Sequence, residues 1–96
     1  MKTAQVNKAA HCVKAFAHPH RMTILAMLAE GEMNVQEITE ALGTTQSNVS
    51  QHLTKMRERD LVVTRREGNQ IYYSIQNPKM IKLMELMREV FCGEEK

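Results

Sequence analysis

The chain has 96 residues, 43% of them apolar and 25% charged. That length makes one small domain and leaves no room for a second lobe, while the apolar share is too high for a disordered chain. Net charge is only +2, so the overall balance does not by itself point to a polyanion. The positive excess is local. Residues 1–30 carry four basic residues against one acidic, residues 44–73 carry five against three, and residues 31–43 carry three acidic and none basic. Eight methionines, no tryptophan and four aromatic residues (two Phe, two Tyr) describe a soft core that a partner surface would help to complete. No apolar run reaches the roughly 20 residues that cross a bilayer, and the N-terminus has no apolar secretory segment. A cytoplasmic, reducing setting with no membrane partner is expected, and two cysteines 80 positions apart make no disulfide scaffold.

Two prolines and four glycines punctuate the chain: Pro19, Pro78, Gly31, Gly43, Gly68 and Gly93. Residues 5–17 space Val6, Ala9, Ala10, Val13, Phe16 and Ala17 along one helical face. His18 stands where an N-cap is expected, Pro19 fits the first position of a second helix, and Gly31 stops it after Glu30. Asn34 and Glu37 read as a capping box for a short helix over Val35–Leu42, ended by Gly43. Thr44 and Thr45 offer the next cap, for a helix from Gln46 to about Arg59 with Val49, Leu53 and Met56 inward. Leu61–Arg66 and Ile71–Ile75 are rich in β-branched residues and flank Gly68-Asn69, which predicts a hairpin. Asn77-Pro78 then starts a last helix over about 78–92.

Helix, tight glycine turn, helix and two-stranded wing in that order predict a mainly α winged helix-turn-helix fold occupying residues 1–96 as one domain. The second helix of the motif carries small polar residues near its N-terminal end: Thr45, Gln46, Ser47, Asn48, Ser50 and Gln51, followed by His52 and Lys55. Asn and Gln can pair two-pronged with adenine edges, and Ser can reach bases or phosphates. Arg65, Arg66, Asn69 and Gln70 on the wing suit phosphate or minor-groove contacts. A double-stranded DNA operator is the expected partner.

Two stretches resemble the ArsR/SmtB repressors. Phe16-Ala17-His18-Pro19-His20-Arg21-Met22-Thr23-Ile24-Leu25 is similar to the family's second-helix signature, and Leu42 through Leu53 to its recognition helix. Arg65-Arg66-Glu67-Gly68 with Tyr72-Tyr73 resembles its wing, so the likeness runs over roughly residues 13–77. It implies a homodimeric repressor that releases DNA when an effector binds.

Dimerisation also follows from the last helix, where Met80, Ile81, Leu83, Met84, Leu86, Met87, Val90, Phe91 and Cys92 leave only Lys82, Glu85, Arg88 and Glu89 as a polar stripe. One apolar face covers its own domain, and the other calls for a twofold partner. Val6 and Val13 of the first helix with Met80, Leu83, Met84, Met87 and Phe91 are the expected interface.

The effector is harder to read. The arsenic-type site of the family needs cysteines where this chain has Met33-Asn34-Val35-Gln36-Glu37, and the zinc-type site needs histidines in a last helix that has none. His18-x-His20 is better read as a cap and a surface histidine than as a chelate, since two ligands do not complete a site. No metal or other cofactor is expected from these residues. Cys92 closes the last helix as Val90-Phe91-Cys92, similar to the sulfur- and redox-responsive branch of the family, the persulfide sensors of the BigR/SqrR type. The partner cysteine of that branch falls here on Ala26, so Cys12 of the first helix is the candidate second thiol. The two thiols could be bridged by sulfur or a disulfide, or share a soft metal or arsenite; the alternative is two inert thiols. A non-sensing architectural module is a further alternative, and no nucleophile, carboxylate pair or phosphate loop supports an enzyme.

Overall fold

The computed structural model describes residues 1–92; Gly93, read above as punctuation, and residues 94–96 lie outside the described residues. Among the described residues the order is α1 (Thr3–Phe16), α2 (Pro19–Leu28), β1 (Met33–Asn34), α3 (Val35–Leu42), α4 (Gln46–Glu58), β2 (Val63–Glu67), β3 (Gln70–Ser74) and α5 (Pro78–Cys92).

Helix starts are fixed by side chains that accept otherwise orphaned N–H groups. The His18 Nδ1 accepts from the His20 N–H at 3.0 Å, with Pro19 in the first helical position. Asn34 and Glu37 form the expected reciprocal box at 2.8 and 2.9 Å. The Thr45 hydroxyl accepts from the Asn48 N–H at 3.1 Å and starts α4. Gly43 ends α3 in the left-handed region at φ 74°, which turns the chain sharply into α4. At the other end of α4, the Leu61 N–H donates to Met56 O and the Asp60 N–H to Arg57 O, with Asp60 at φ 61°. That is a Schellman closure, and it explains why Leu61 and Val62, read above as the start of a strand, are buried core residues before β2 begins.

The hairpin is tighter than its sequence suggests. Glu67 pairs with Gln70, leaving a two-residue turn in which Gly68 sits at φ 62° and Asn69 at negative φ, the φ signature of a type II′ turn. The sheet also has a third strand: β1 pairs antiparallel with β3, Met33 opposite Tyr73 and Asn34 opposite Tyr72, giving the order β1-β3-β2. The wing is thereby tied to the residues that lead into α3.

Ile24, Leu25, Ile38, Val49, Leu53, Met56 and Val62 form the sealed centre between α2, α3, α4 and the base of the wing. α1 packs on α2 and α4, and α5 packs on α2. Within one chain, then, the first and last helices rest on a shared neighbour rather than chiefly on each other. Met84 is only 6% exposed and belongs to this core, which corrects its assignment to a partner-facing surface. Its neighbours on α5 behave as expected of an uncovered face: Leu86, Val90 and Phe91 are 55%, 68% and 74% exposed, and Val6 and Val13 on α1 are also exposed.

Candidate nucleic-acid interface

Three inward residues of α4, Val49, Leu53 and Met56, lock the helix against the core and so decide which side chains point out. Gln46, Ser47, Ser50, Gln51, Thr54 and Lys55 are exposed. Ser47, Ser50, Gln51 and Thr54 fall at helical i, i+3, i+4 and i+7 positions and make one polar ridge, with Lys55 beside it. The ridge carries donors and acceptors but no carboxylate, the group that a DNA backbone would repel. Thr54 was not singled out from the sequence; its register with Ser47 and Ser50 is the signal that finds it.

Two residues of the expected set face elsewhere. His52 is 8% exposed, and its Nδ1 accepts from Arg21 Nε–H of α2 at 3.0 Å. An arginine nitrogen can only donate, so this imidazole nitrogen is unprotonated. His52 is therefore a strut between α2 and α4 and not a groove contact. Asn48 is half-buried, with its amide nitrogen 3.2 Å from both His20 Nδ1 and Thr44 Oγ1, and it fastens the start of α4 instead of facing a base.

This joint is a cluster of three imidazoles around one guanidinium. The His18 and His52 ring centroids are 4.6 Å apart, and His20 lies 5.6 and 5.7 Å from them. Arg21 also donates to Ala15 O of α1 at 2.9 Å, so one side chain ties α1, α2 and α4 together. Burial, followed by the charges of His18, Arg21, His20 and Lys55, holds the His52 imidazole below its ordinary range. His18 is engaged as the cap of α2, and His20 Nδ1 lies 3.2 Å from the Asn48 amide nitrogen.

The wing presents Arg66, Asn69 and Gln70 to solvent. Arg65 is committed within the chain. Its guanidinium pairs with Glu32, Nε donating to Oε2 at 3.2 Å, and with Glu67 at 2.5 Å, and it lies 4.9 Å over the Tyr72 ring. Hydrogen bonds that Arg65 donates to Glu32 and Glu67 hold it firmly protonated, and the same donation lowers the Glu32 carboxyl in turn. Two carboxylates around one cation leave little net charge for a phosphate, so Arg65 anchors the wing, while Arg66, whose Nε donates to Gly68 O at 3.4 Å, has no ion-pair partner among the described residues. Glu32 lies 33 residues from Arg65 in sequence, and only the β1–β3 pairing brings it there.

The cysteines sit apart in kind. Cys12 is half-buried on α1 against the core, while Cys92 is exposed at the end of α5, in a groove whose other wall is α2 and includes Ala26.

With this geometry in view, likeness to known proteins is informative. Residues 18–64 match the family described as "Bacterial regulatory protein, arsR family". The chain is 35% identical over 92 residues to the Biofilm growth-associated repressor of Xylella fastidiosa, covering 96% of this chain and 81% of that one. The Transcriptional activator HlyU of Vibrio cholerae is 35% identical over 88% of this chain and 79% of its own. Its solved structure superposes with a TM-score of 0.87 at 34% identity, covering 96% and 99% of the two chains. The homodimeric winged helix-turn-helix DNA-binding domain Mb0332 of Mycobacterium bovis gives 0.82 at 34% identity, covering 91% and 81%. Fold, element order and most of the length are thus shared with transcriptional regulators, and the chain belongs to the arsR family of bacterial regulatory proteins.

Proposed function

We propose that the chain is a homodimeric transcriptional regulator, acting in the cytoplasm, that reads an operator in duplex DNA and releases it on meeting a thiol-reactive effector. The polar ridge Ser47, Ser50, Gln51 and Thr54 of α4, with Gln46 exposed at the start of the same helix and a wing that offers Arg66, Asn69 and Gln70, carries the DNA part of this reading. Thr45 caps the helix next to the same groove, and Lys55 adds a phosphate contact further along. The apolar faces left open on α1 and α5 support the dimer, since covering them is worth about 25 cal/mol per Å² of apolar surface.

For the effector, Cys92 is exposed and Cys12 is half-buried on α1. α1 and α5 are the two helices whose open faces a twofold partner would bring together. An oxidant such as peroxide would take two electrons and two protons from the Cys12 and Cys92 thiols, leaving a disulfide and two waters. The new bond would shift α1 against α5 and so the spacing of the two α4 helices. A DNA-release assay over persulfide, peroxide, arsenite and a metal panel tests this beside Cys12→Ser and Cys92→Ser. Release by persulfide or peroxide that disappears in both variants is expected. Release unchanged in both removes the thiols from the mechanism.

A further inference from the structure

The groove between α2 and α5 has a volume of about 800 Å³, within the range of roughly 300–1,000 Å³ that small-molecule sites occupy. Five of the eight methionines line it: Met22, Met27, Met33, Met84 and Met87. Thioether side chains have three rotatable bonds and a polarisable sulfur, so such a wall adapts to flat or bulky apolar bodies. The charged residues at the groove are Glu30, Glu32, Glu85 and Arg88, three carboxylates against one guanidinium. Arg88 is paired with Glu30 at 3.2 Å and Glu32 with Arg65, while Glu85 has no ion-pair partner among the described residues. Phe91, largely exposed, lines the same groove and presents a ring face that attracts cations.

The groove shares Met84, Met87 and Phe91 with the interface expected from the sequence, but its other wall is α2, which that interface does not include. At about 100° per residue, Leu83, Leu86 and Val90 share one arc of α5, while Met84, Met87, Arg88 and Phe91 centre on the order of 120° away. A twofold contact through the first set leaves the second open.

We propose that this groove binds a lipophilic organic cation, an aromatic or alicyclic body bearing a quaternary or delocalised positive charge, and that occupancy loosens the wing by drawing Glu32 away from Arg65. The apolar body lies on the methionine wall and the charge faces Glu85 and Glu32. Glu32 immediately precedes β1, which pairs with β3 of the wing, so a competing cation acts on the anchor of a DNA-contacting element. The binding half of the proposal stands on the groove alone; the wing half rests on the regulator reading.

The test uses the full-length homodimer with isotope-labelled methionine methyls and tetraphenylphosphonium as probe, with tetraphenylborate as its anionic counterpart. Saturable shifts of the five groove methyls are expected with tetraphenylphosphonium. Binding of tetraphenylborate should be at least about tenfold weaker, and Glu85→Lys should weaken the cation by about tenfold, the size of one near-surface charge interaction. Ala26→Phe, which fills the groove from an exposed position, should abolish the shifts. Saturating cation should also weaken DNA binding severalfold in the parent and not in Glu32→Gln. No saturable shift, equal binding of the anion, unchanged binding in Ala26→Phe, or groove methyls already in contact with the partner subunit would overturn the binding site. Unaltered DNA affinity at saturation would overturn the link to the wing.

Discussion

At Gln51 and Arg66 the same surface is asked to do two different things. On the proposed reading, a glutamine amide on the α4 ridge distinguishes one base edge from another, whereas a wing guanidinium meets the phosphate present at every step. Gln51→Ala and Ser50→Ala should each weaken operator binding by about 5- to 150-fold, from roughly 1–3 kcal/mol per lost base contact, and leave binding to unrelated duplex nearly unchanged. Arg66→Ala should weaken both alike and reduce the slope of log affinity against log salt by about one. Fluorescence anisotropy at several salt concentrations reads both. Local residue chemistry was legible in the sequence: the caps at His18, Asn34 and Thr45 and the left-handed Gly43 stand where the residue types call for them. Asn48, His52 and Arg65 were not, because their types suit DNA equally well and only the packing of α2 on α4 and of β1 on β3 shows that their polar groups are already engaged.

Among the elements, α2 and α4 meet through the His18, His20, His52 and Arg21 cluster, and that junction sets the pitch of the recognition helix. His52 is neutral in the fold, its Nδ1 accepting from Arg21 with His18, His20 and Lys55 as further positive or titratable neighbours. A base whose folded pKa lies below its unfolded value near 6.5 is stabilised in its neutral form, so the unfolded chain binds more protons in the window below that value. Stability is thus full above about pH 6.5 and falls as pH drops toward the folded value. Urea midpoints at pH 7.5 and 5.5 should show this loss, and His52→Gln, which cannot titrate but keeps an oxygen to accept from Arg21, should reduce it. Equal midpoints at the two pH values would refute the argument. Element order was readable from the change of hydrophobic period after Arg59, but β1 was not. Two residues show no alternation, and Met33-Asn34 becomes a strand only through its pairing with Tyr72-Tyr73.

For the molecule as a whole, the exposed apolar faces of α1 and α5 imply that one 11.0 kDa chain is half of the working unit. Val90→Asp places a carboxylate in the expected seam far from the core and from α4. Sedimentation should show a dimer for the parent and a monomer for the variant at micromolar concentration, with helix content retained and operator affinity lost. The apolar excess of the last helix was visible in the sequence, but its division was not: packing on α2 takes Met84 into the core and leaves Leu86, Val90 and Phe91 outside. The central claim is that a twofold pair of α4 ridges reads bases. Selection of bound duplexes from a random pool tests it most directly. The parent should return an inverted repeat with half-site centres about one helical turn, roughly 34 Å, apart, and Gln51→Ala should return the same repeat with preference relaxed at one base pair in each half-site. A pool without consensus, or an identical consensus from the variant, would contradict it.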